Sequence, residues 1–224
     1  MGMKKIIVML LASVMVFSLC ACGDGGGKKA AYNLSKEAYN NIDEAYSIVE
    51  TYGMDIYDAW QIGIFEEDDL SLEYLASKLK LDKDELATGL LYLRFEDEWD
   101  SKSEEWKLEQ AKFSEQFFDA MAGFYNSKFS LCVEIVSASY KANGKVSEAQ
   151  AYLSKAKDAI KALSEQYSDF EYYPALKGYY TTTAALLDYC QQPSGSFEYM
   201  KTTINDYRNA ARDYKNELTL ILEE

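Results

Sequence analysis

Histidine is absent from the 224-residue chain, and proline occurs only twice. Without histidine the chain cannot form a Ser–His–Asp triad, a Cys–His pair or a His-ligated zinc or iron site. Two prolines and twelve glycines are also too few for a β-fold with many turns. Positive charge is scarce too, because 23 Lys and Arg against 37 Asp and Glu give a net charge of −14. That sign opposes binding to a phosphate backbone, so no nucleic-acid partner is expected.

The N-terminus is the most informative part of the chain. A short basic segment, residues 1–5, is followed by a mainly apolar run over residues 6–19. Such a run fits the hydrophobic region of an export signal, and it is shorter than the ~20 residues that a membrane-spanning helix needs. We therefore expect the chain to be exported.

The apolar run ends in Leu19-Cys20-Ala21-Cys22. This tetrapeptide resembles the lipobox of bacterial lipoproteins, in which an aliphatic residue at −3 and a small residue at −1 precede the cysteine that is acylated. Cys22 fits that pattern, whereas the bulky Leu19 stands at −1 to Cys20. The resemblance covers only the first 22 residues. It implies a signal peptide over residues 1–21, and a lipid (diacylglycerol and palmitate) on Cys22 that holds the protein on the extracytoplasmic face of the cell membrane. An ordinary secretory signal cleaved after Ala21 is the alternative.

A glycine-rich segment follows the proposed anchor. Gly23–Lys29 contains four glycines and two lysines, and glycine clusters gain little from becoming ordered. We therefore expect a flexible tether over residues 22–33 and a single folded domain over residues 34–224.

Apolar residues in that domain recur at alternating spacings of three and four, which is typical of helices packed along a seam. The pattern covers residues 34–63, 146–170, 176–190 and 197–221. Pro174 suits a first helical turn, and Pro193–Gly195 marks a turn before the last helix. Seams of only three or four heptads joined by short loops favour an intramolecular bundle over a two-chain coiled coil.

The middle of the chain is less regular. Residues 103–142 predict one long helix, although the strand-like composition of residues 132–140 leaves helix and strand as alternatives. Residues 70–95 predict two short helices that break at Lys80-Leu81, with Asp82 capping the second. The fold expected is therefore an all-α antiparallel bundle of about five longer helices with a short αα-hairpin.

Two acidic runs flank the hairpin. Since the ends of a hairpin lie close together, the runs form a possible weak cation site outside the cell. Consecutive acids point in different directions, so solvated loop acids are the favoured interpretation, and we expect no metal cofactor with any specificity. The residues concerned are Glu66, Glu67, Asp68, Asp69, Glu96, Asp97, Glu98 and Asp100.

Two cysteines, Cys132 and Cys190, lie within the domain. An exported protein could join them in a disulfide. Counting helical rise from the shared loops, however, places them at different levels, and a disulfide needs Cα atoms about 5.5 Å apart. We therefore predict two separate buried thiols.

Tyrosine is unusually frequent, with nineteen residues. Most of them lie on the helix seams. In Tyr172-Tyr173 and Tyr179-Tyr180, the second member of each pair aligns with Leu176 and is predicted to face the core. Tyr172 and Tyr179 would then lie at its boundary, where they could contact a partner.

The sequence contains no Gly-rich phosphate loop, G-x-S-x-G elbow or H-E-x-x-H motif, so no cofactor is expected. The function that we expect is a surface-anchored lipoprotein that binds a protein or peptide partner without catalysis. Two alternatives are an extracytoplasmic hydrolase that uses paired carboxylates and an accessory subunit of a membrane complex.

Overall fold

The computed structural model describes residues 24–65, 70–122 and 128–222. Every regular element within these ranges is helical, which confirms the all-α prediction. A short 3-10 segment, Glu96–Ser101, lies between the third and fourth α-helices. The α-helices are α1 (Asp24–Phe65), α2 (Leu72–Leu79), α3 (Lys83–Phe95), α4 (Glu104–Ala111), α5 (Ser114–Ala122), α6 (Lys128–Ala142), α7 (Lys145–Gln166), α8 (Tyr173–Gln191) and α9 (Phe197–Leu222).

Helix α1 is the axis of the bundle. Its 42 residues contact α6, α7, α8 and α9. The predicted apolar stripe is buried along its length, including Ile42, Val49 and Ile56, none of which is exposed to solvent. Each of the four neighbours presents a similar stripe, so one continuous core surrounds α1. The five longer helices are therefore α1, α6, α7, α8 and α9.

The start of α1 differs from the expected tether. The helix already begins at Asp24, so residues 24–33 are helical in the structure. Tertiary contacts explain the difference: Ala31 is buried, and the Tyr32 hydroxyl donates to the Leu222 carbonyl at 3.1 Å. The ring of Tyr167 also packs close to Gly27. Packing at the bundle end thus offsets the entropy cost of ordering glycine.

The neighbours of α1 run in defined directions. Tyr32 and Tyr39 contact the end of α9, so α9 is antiparallel to α1. Helix α7 is also antiparallel, because it starts just after Tyr140, which contacts Asp55, and ends at Tyr167, beside Gly27. Helix α6 runs parallel to α1 instead, because Tyr52 contacts Ser137 and Asp55 contacts Tyr140.

The prediction of one long helix over residues 103–142 is wrong. Helix α4 ends at Ala111, α5 covers Ser114–Ala122 and α6 begins at Lys128. Helix α4 buries no residue, so no packed face extends the helix across residues 112–113, where the backbone N–H groups instead bond to carbonyls three residues earlier, as in β-turns. Helix is confirmed over residues 132–140, where α6 is mostly buried against α1 and α3.

The predicted hairpin is present. The Ser71 hydroxyl caps α2, Lys80 ends it with a left-handed φ of 57°, and the Asp82 carboxylate caps α3. Gly89 then lies directly on α6, where an added Cβ would stand 2.5 Å from the backbone nitrogen of Ser139. This close approach fixes the hairpin against α6.

Cys132 and Cys190 are both buried thiols that no disulfide joins, as predicted. The Cys190 sulfur lies close to Gly53 of α1. Among the described helices, none is long and apolar enough to cross a membrane.

Candidate ligand cleft

The two tyrosines predicted to contact a partner have different environments. Tyr179 is completely buried, so its predicted position at the boundary is wrong. Its ring packs between Tyr39 and Tyr46, and its hydroxyl donates to the Asp43 carboxylate at 2.9 Å. Burial, followed by the nearby Asp43 charge, raises the pKa of Tyr179. Tyr172 is half-buried and lies edge-on to Phe170, and its role in partner binding stays a prediction.

The error for Tyr179 has a simple geometric cause. The series Leu176, Tyr180, Thr183, Leu187 and the series Leu176, Tyr179, Thr183, Leu186 both have helical spacing. These two faces of α8 are related by a rotation about the helix axis that corresponds to a shift of one residue. Both leucines are buried, but Tyr179 is buried and Tyr180 is only half-buried. Asp43 on α1, which accepts the hydroxyl, decides which ring points inward.

The proposed cation site receives no support from its described half. Glu96, Asp97, Glu98 and Asp100 are exposed on the 3-10 segment, and Glu98 forms an ion pair with Lys102. No group of three or more potential metal ligands occurs among the described residues. Residues 66–69 and the predicted acylation site Cys22 lie outside the described residues.

A cleft of about 490 Å³ lies between α3, α6 and the α8–α9 turn. That volume is within the usual range for small-molecule sites. Its lining is Trp60, Tyr92, Leu93, Glu96, Ser130, Val133, Glu134, Ser137, Ala138, Lys141 and residues 191–195. The mixture of aromatic, amide, hydroxyl and charged groups is typical of a site that orients a polar ligand.

One face of α6 forms the floor of the cleft. Ser130, Glu134, Ser137 and Lys141 are spaced by three or four residues, which places them on one side of a helix. Ser137 is nearly buried, while Glu134 is exposed and Lys141 is half-exposed. The opposite face of α6 carries the core residues of the helix. The cleft therefore has a rigid helical floor.

The α8–α9 turn forms one wall. Gly195 has a φ of 103°, which favours glycine, and the Tyr189 hydroxyl donates to the Ser194 carbonyl at 3.0 Å. These two features fix the shape of the turn that carries Gln192 and Pro193 to the edge of the cleft.

A buried polar network supports the floor from behind. Ser137 shares a 2.7 Å hydrogen bond with the Tyr52 hydroxyl, and the Tyr52 ring stacks on that of Tyr140 at 4.2 Å. The Tyr140 hydroxyl in turn donates to the Asp55 carboxylate at 2.6 Å. Helices α1 and α6 are therefore joined by polar contacts directly beneath the cleft.

Asp55 is the titratable group of this network. Burial raises its pKa from 3.8 to about 6, with a further contribution from the charge of Asp58, while the hydrogen bond from Tyr140 lowers it. Lys145 and Glu85, which pair with each other at 3.0 Å, act on Asp55 with opposite signs. The carboxylate thus lies in a setting that disfavours its charge.

Sequence reasoning did not find this cleft. Its residues come from four separate segments, and Trp60 looks like an ordinary member of the α1 stripe. One signal was present: α6 carries Glu134 and Lys141 on a helix whose other residues are mostly apolar. The fold was needed to place α3 and residues 191–195 over that polar face.

The chain matches no protein-family model, no curated protein and no solved structure.

Proposed function

We propose that the chain is an extracytoplasmic lipoprotein, anchored to the cell membrane through Cys22, that binds a ligand in the cleft beside α6 and does not alter it chemically. The observation that carries the binding part is the cleft of about 490 Å³, with charged groups, amides and rings converging on it. The anchoring part is supported by the sequence Leu19-Cys20-Ala21-Cys22 after the apolar run.

The anchor makes a direct prediction. Cys22→Ser should abolish incorporation of radioactive palmitate and leave the protein unprocessed or released from the membrane. Cys20→Ser is the matched control and should keep full labelling, because Cys20 lacks a small residue before it. Labelling of the Cys22→Ser protein at the wild-type level would contradict the anchor.

The binding site can be tested by filling it. Ser130→Trp places an indole in the cleft from a position that is half-exposed, so the fold should survive. Native mass spectrometry of protein purified from its own membranes should detect a small bound molecule on the wild type and none on the variant. A bound molecule at equal occupancy on both proteins would place the site elsewhere.

A hydrolase is the second candidate function, since Glu96 and Glu134 line the same cleft. Paired carboxylates on one cleft are the arrangement that glycoside hydrolysis requires. The two functions differ in the fate of the ligand. A binding protein releases its ligand chemically unchanged, whereas a hydrolase should release cleaved product, and Glu134→Gln should stop that cleavage.

A further inference from the structure

The two ends of the cleft floor carry opposite charges. Glu134 and Lys141 are both on the lining face of α6 and are seven residues apart. Seven residues correspond to almost two helical turns, so their Cα atoms are separated by about 10 Å along the axis. Lys141 forms no ion pair with any residue that the structure describes.

A second carboxylate joins the end of the cleft where Glu134 lies. Helices α3 and α6 are antiparallel, because Glu85 pairs with Lys145, which follows the C-terminal end of α6, while Gly89, further along α3, packs on Ile135 and Ser139. Following α3 beyond Gly89 leads towards the N-terminal half of α6. Glu96, which immediately follows α3, therefore lies towards Glu134 and away from Lys141.

The space between these ends suits a polar chain. The side chains of Ser137 and Gln191 offer a hydroxyl and an amide group that can bond to peptide N–H and C=O groups, and Ser130 adds a hydroxyl one helical turn beyond Glu134. Leu93 and Val133 supply an apolar surface in the same cleft. A ligand that complements this lining has an amine at one end, a carboxylate at the other and amide groups between them.

We propose that the cleft binds a linear peptide of about three residues by both of its free termini. The α-ammonium group lies between Glu96 and Glu134, and the α-carboxylate pairs with Lys141. Three extended residues span about 10 Å, which matches the separation of the two charged ends. A single amino acid is too short to reach both ends. This inference depends on the proposed function, because it takes the cleft as the ligand site.

The probes are trialanine, a mixed tripeptide library with free termini, and the same peptides carrying an N-terminal acetyl group, a C-terminal amide or both. Calorimetry with the full mature protein in detergent should show binding of the free tripeptides. Each blocking group removes one charge-assisted contact and should weaken binding about tenfold or more.

Protein variants identify which end of the cleft binds which terminus of the peptide. The double variant Glu96→Gln with Glu134→Gln should no longer distinguish free from acetylated peptides, but it should still distinguish acid from amide. Lys141→Gln should show the reverse. Glu148→Gln and Lys157→Gln change exposed residues of α7 outside the cleft, and they should retain both distinctions.

Each alternative outcome overturns the inference. Equal binding of free and doubly blocked peptides would remove the role of the termini. Binding of the amides as tightly as the acids would indicate an organic cation as ligand, and failure of the whole library to bind would exclude short peptides. In the last two cases the proposed function survives if the wild type still carries a molecule that the Ser130→Trp variant lacks.

Discussion

The two long terminal helices and the α4–α5 region are held to the bundle in different ways. Along the seam between α1 and α9, the hydroxyls of Tyr32, Tyr39 and Tyr46 each bond to a group on α9 that is between 162 and 190 residues away in sequence. Helix α4 instead buries no residue, and its Leu108 is 69% exposed.

The difference shows which helices have a fixed position along the bundle axis. A hydroxyl that bonds to one particular carbonyl or hydroxyl loses its partner if the helix slides by one turn. The contacts of α4 are less directional. For example, the Lys107 ammonium lies 4.3 Å from the centre of the Trp99 ring. We therefore expect a shift of one helical turn to cost more free energy for α9 than for α4.

The largest expected difference concerns a buried ring of the α1–α8–α9 region. Tyr179→Ala removes a side chain with no exposed surface and one of the two groups that contact the Asp43 carboxylate, the other being the Lys215 ammonium. We expect a loss of about 3–5 kcal/mol in the free energy of unfolding, measured by urea denaturation. Leu108→Ala on α4 should change it by less than about 0.5 kcal/mol. Equal losses for the two variants would remove the contrast between the regions.

The second prediction concerns the α1–α6 contact at Asp55. Because its pKa is raised to about 6 in the folded state, folding takes up a proton that the unfolded carboxyl, at 3.8, has already lost. The stabilisation that folding gains from protonated Asp55 is therefore complete below about pH 4, and it is lost as the pH rises through 6. Relative to the wild type, Asp55→Asn should gain about 2–3 kcal/mol in unfolding free energy between pH 4 and pH 7.

A second variant tests the cause of this pH dependence. The hydrogen bond from Tyr140 favours the charged carboxylate, so Tyr140→Phe should raise the pKa of Asp55 further and steepen the loss of stability between pH 4 and pH 7. An unfolding free energy of Asp55→Asn that follows the wild type in parallel across this range would show that Asp55 is not the group responsible.

The smallest expected effect is that of an ion pair. Glu50 on α1 pairs with Arg208 at 3.1 Å and Arg212 at 2.6 Å on α9, and its side chain is 25% exposed. Glu50→Gln should cost about 1 kcal/mol of unfolding free energy. Glu104 on α4 pairs with Lys107 at 2.7 Å but is 84% exposed, so Glu104→Gln should cost almost nothing in the same measurement. A larger cost at Glu104 would contradict the comparison.

The sequence alone was enough to predict those parts of the fold in which the spacing of apolar residues determines how the helices pack. The helices from residue 145 onwards and the hairpin with its Asp82 cap could be predicted because apolar spacing and capping residues act locally. The break at residues 112–113 could not be predicted, because it reflects the lack of a buried face on α4, and the burial of Tyr179 could not, because it depends on a partner distant in sequence. The same limit applies to the cleft, because its lining comes from segments that are far apart in sequence.

If Cys22 is lipidated as proposed, the position of α1 along the chain bears on how far the cleft would lie from the membrane. Asp24, the first residue of α1, is two positions after Cys22 in the sequence. Trp60 at the cleft is 36 residues further along the same helix, which corresponds to about 54 Å. If α1 of the proposed lipoprotein stood upright on the membrane, it would carry the binding site well beyond the lipid headgroups. In a protein anchored in this way, the cleft would meet solutes that diffuse towards the cell rather than molecules that move within the bilayer.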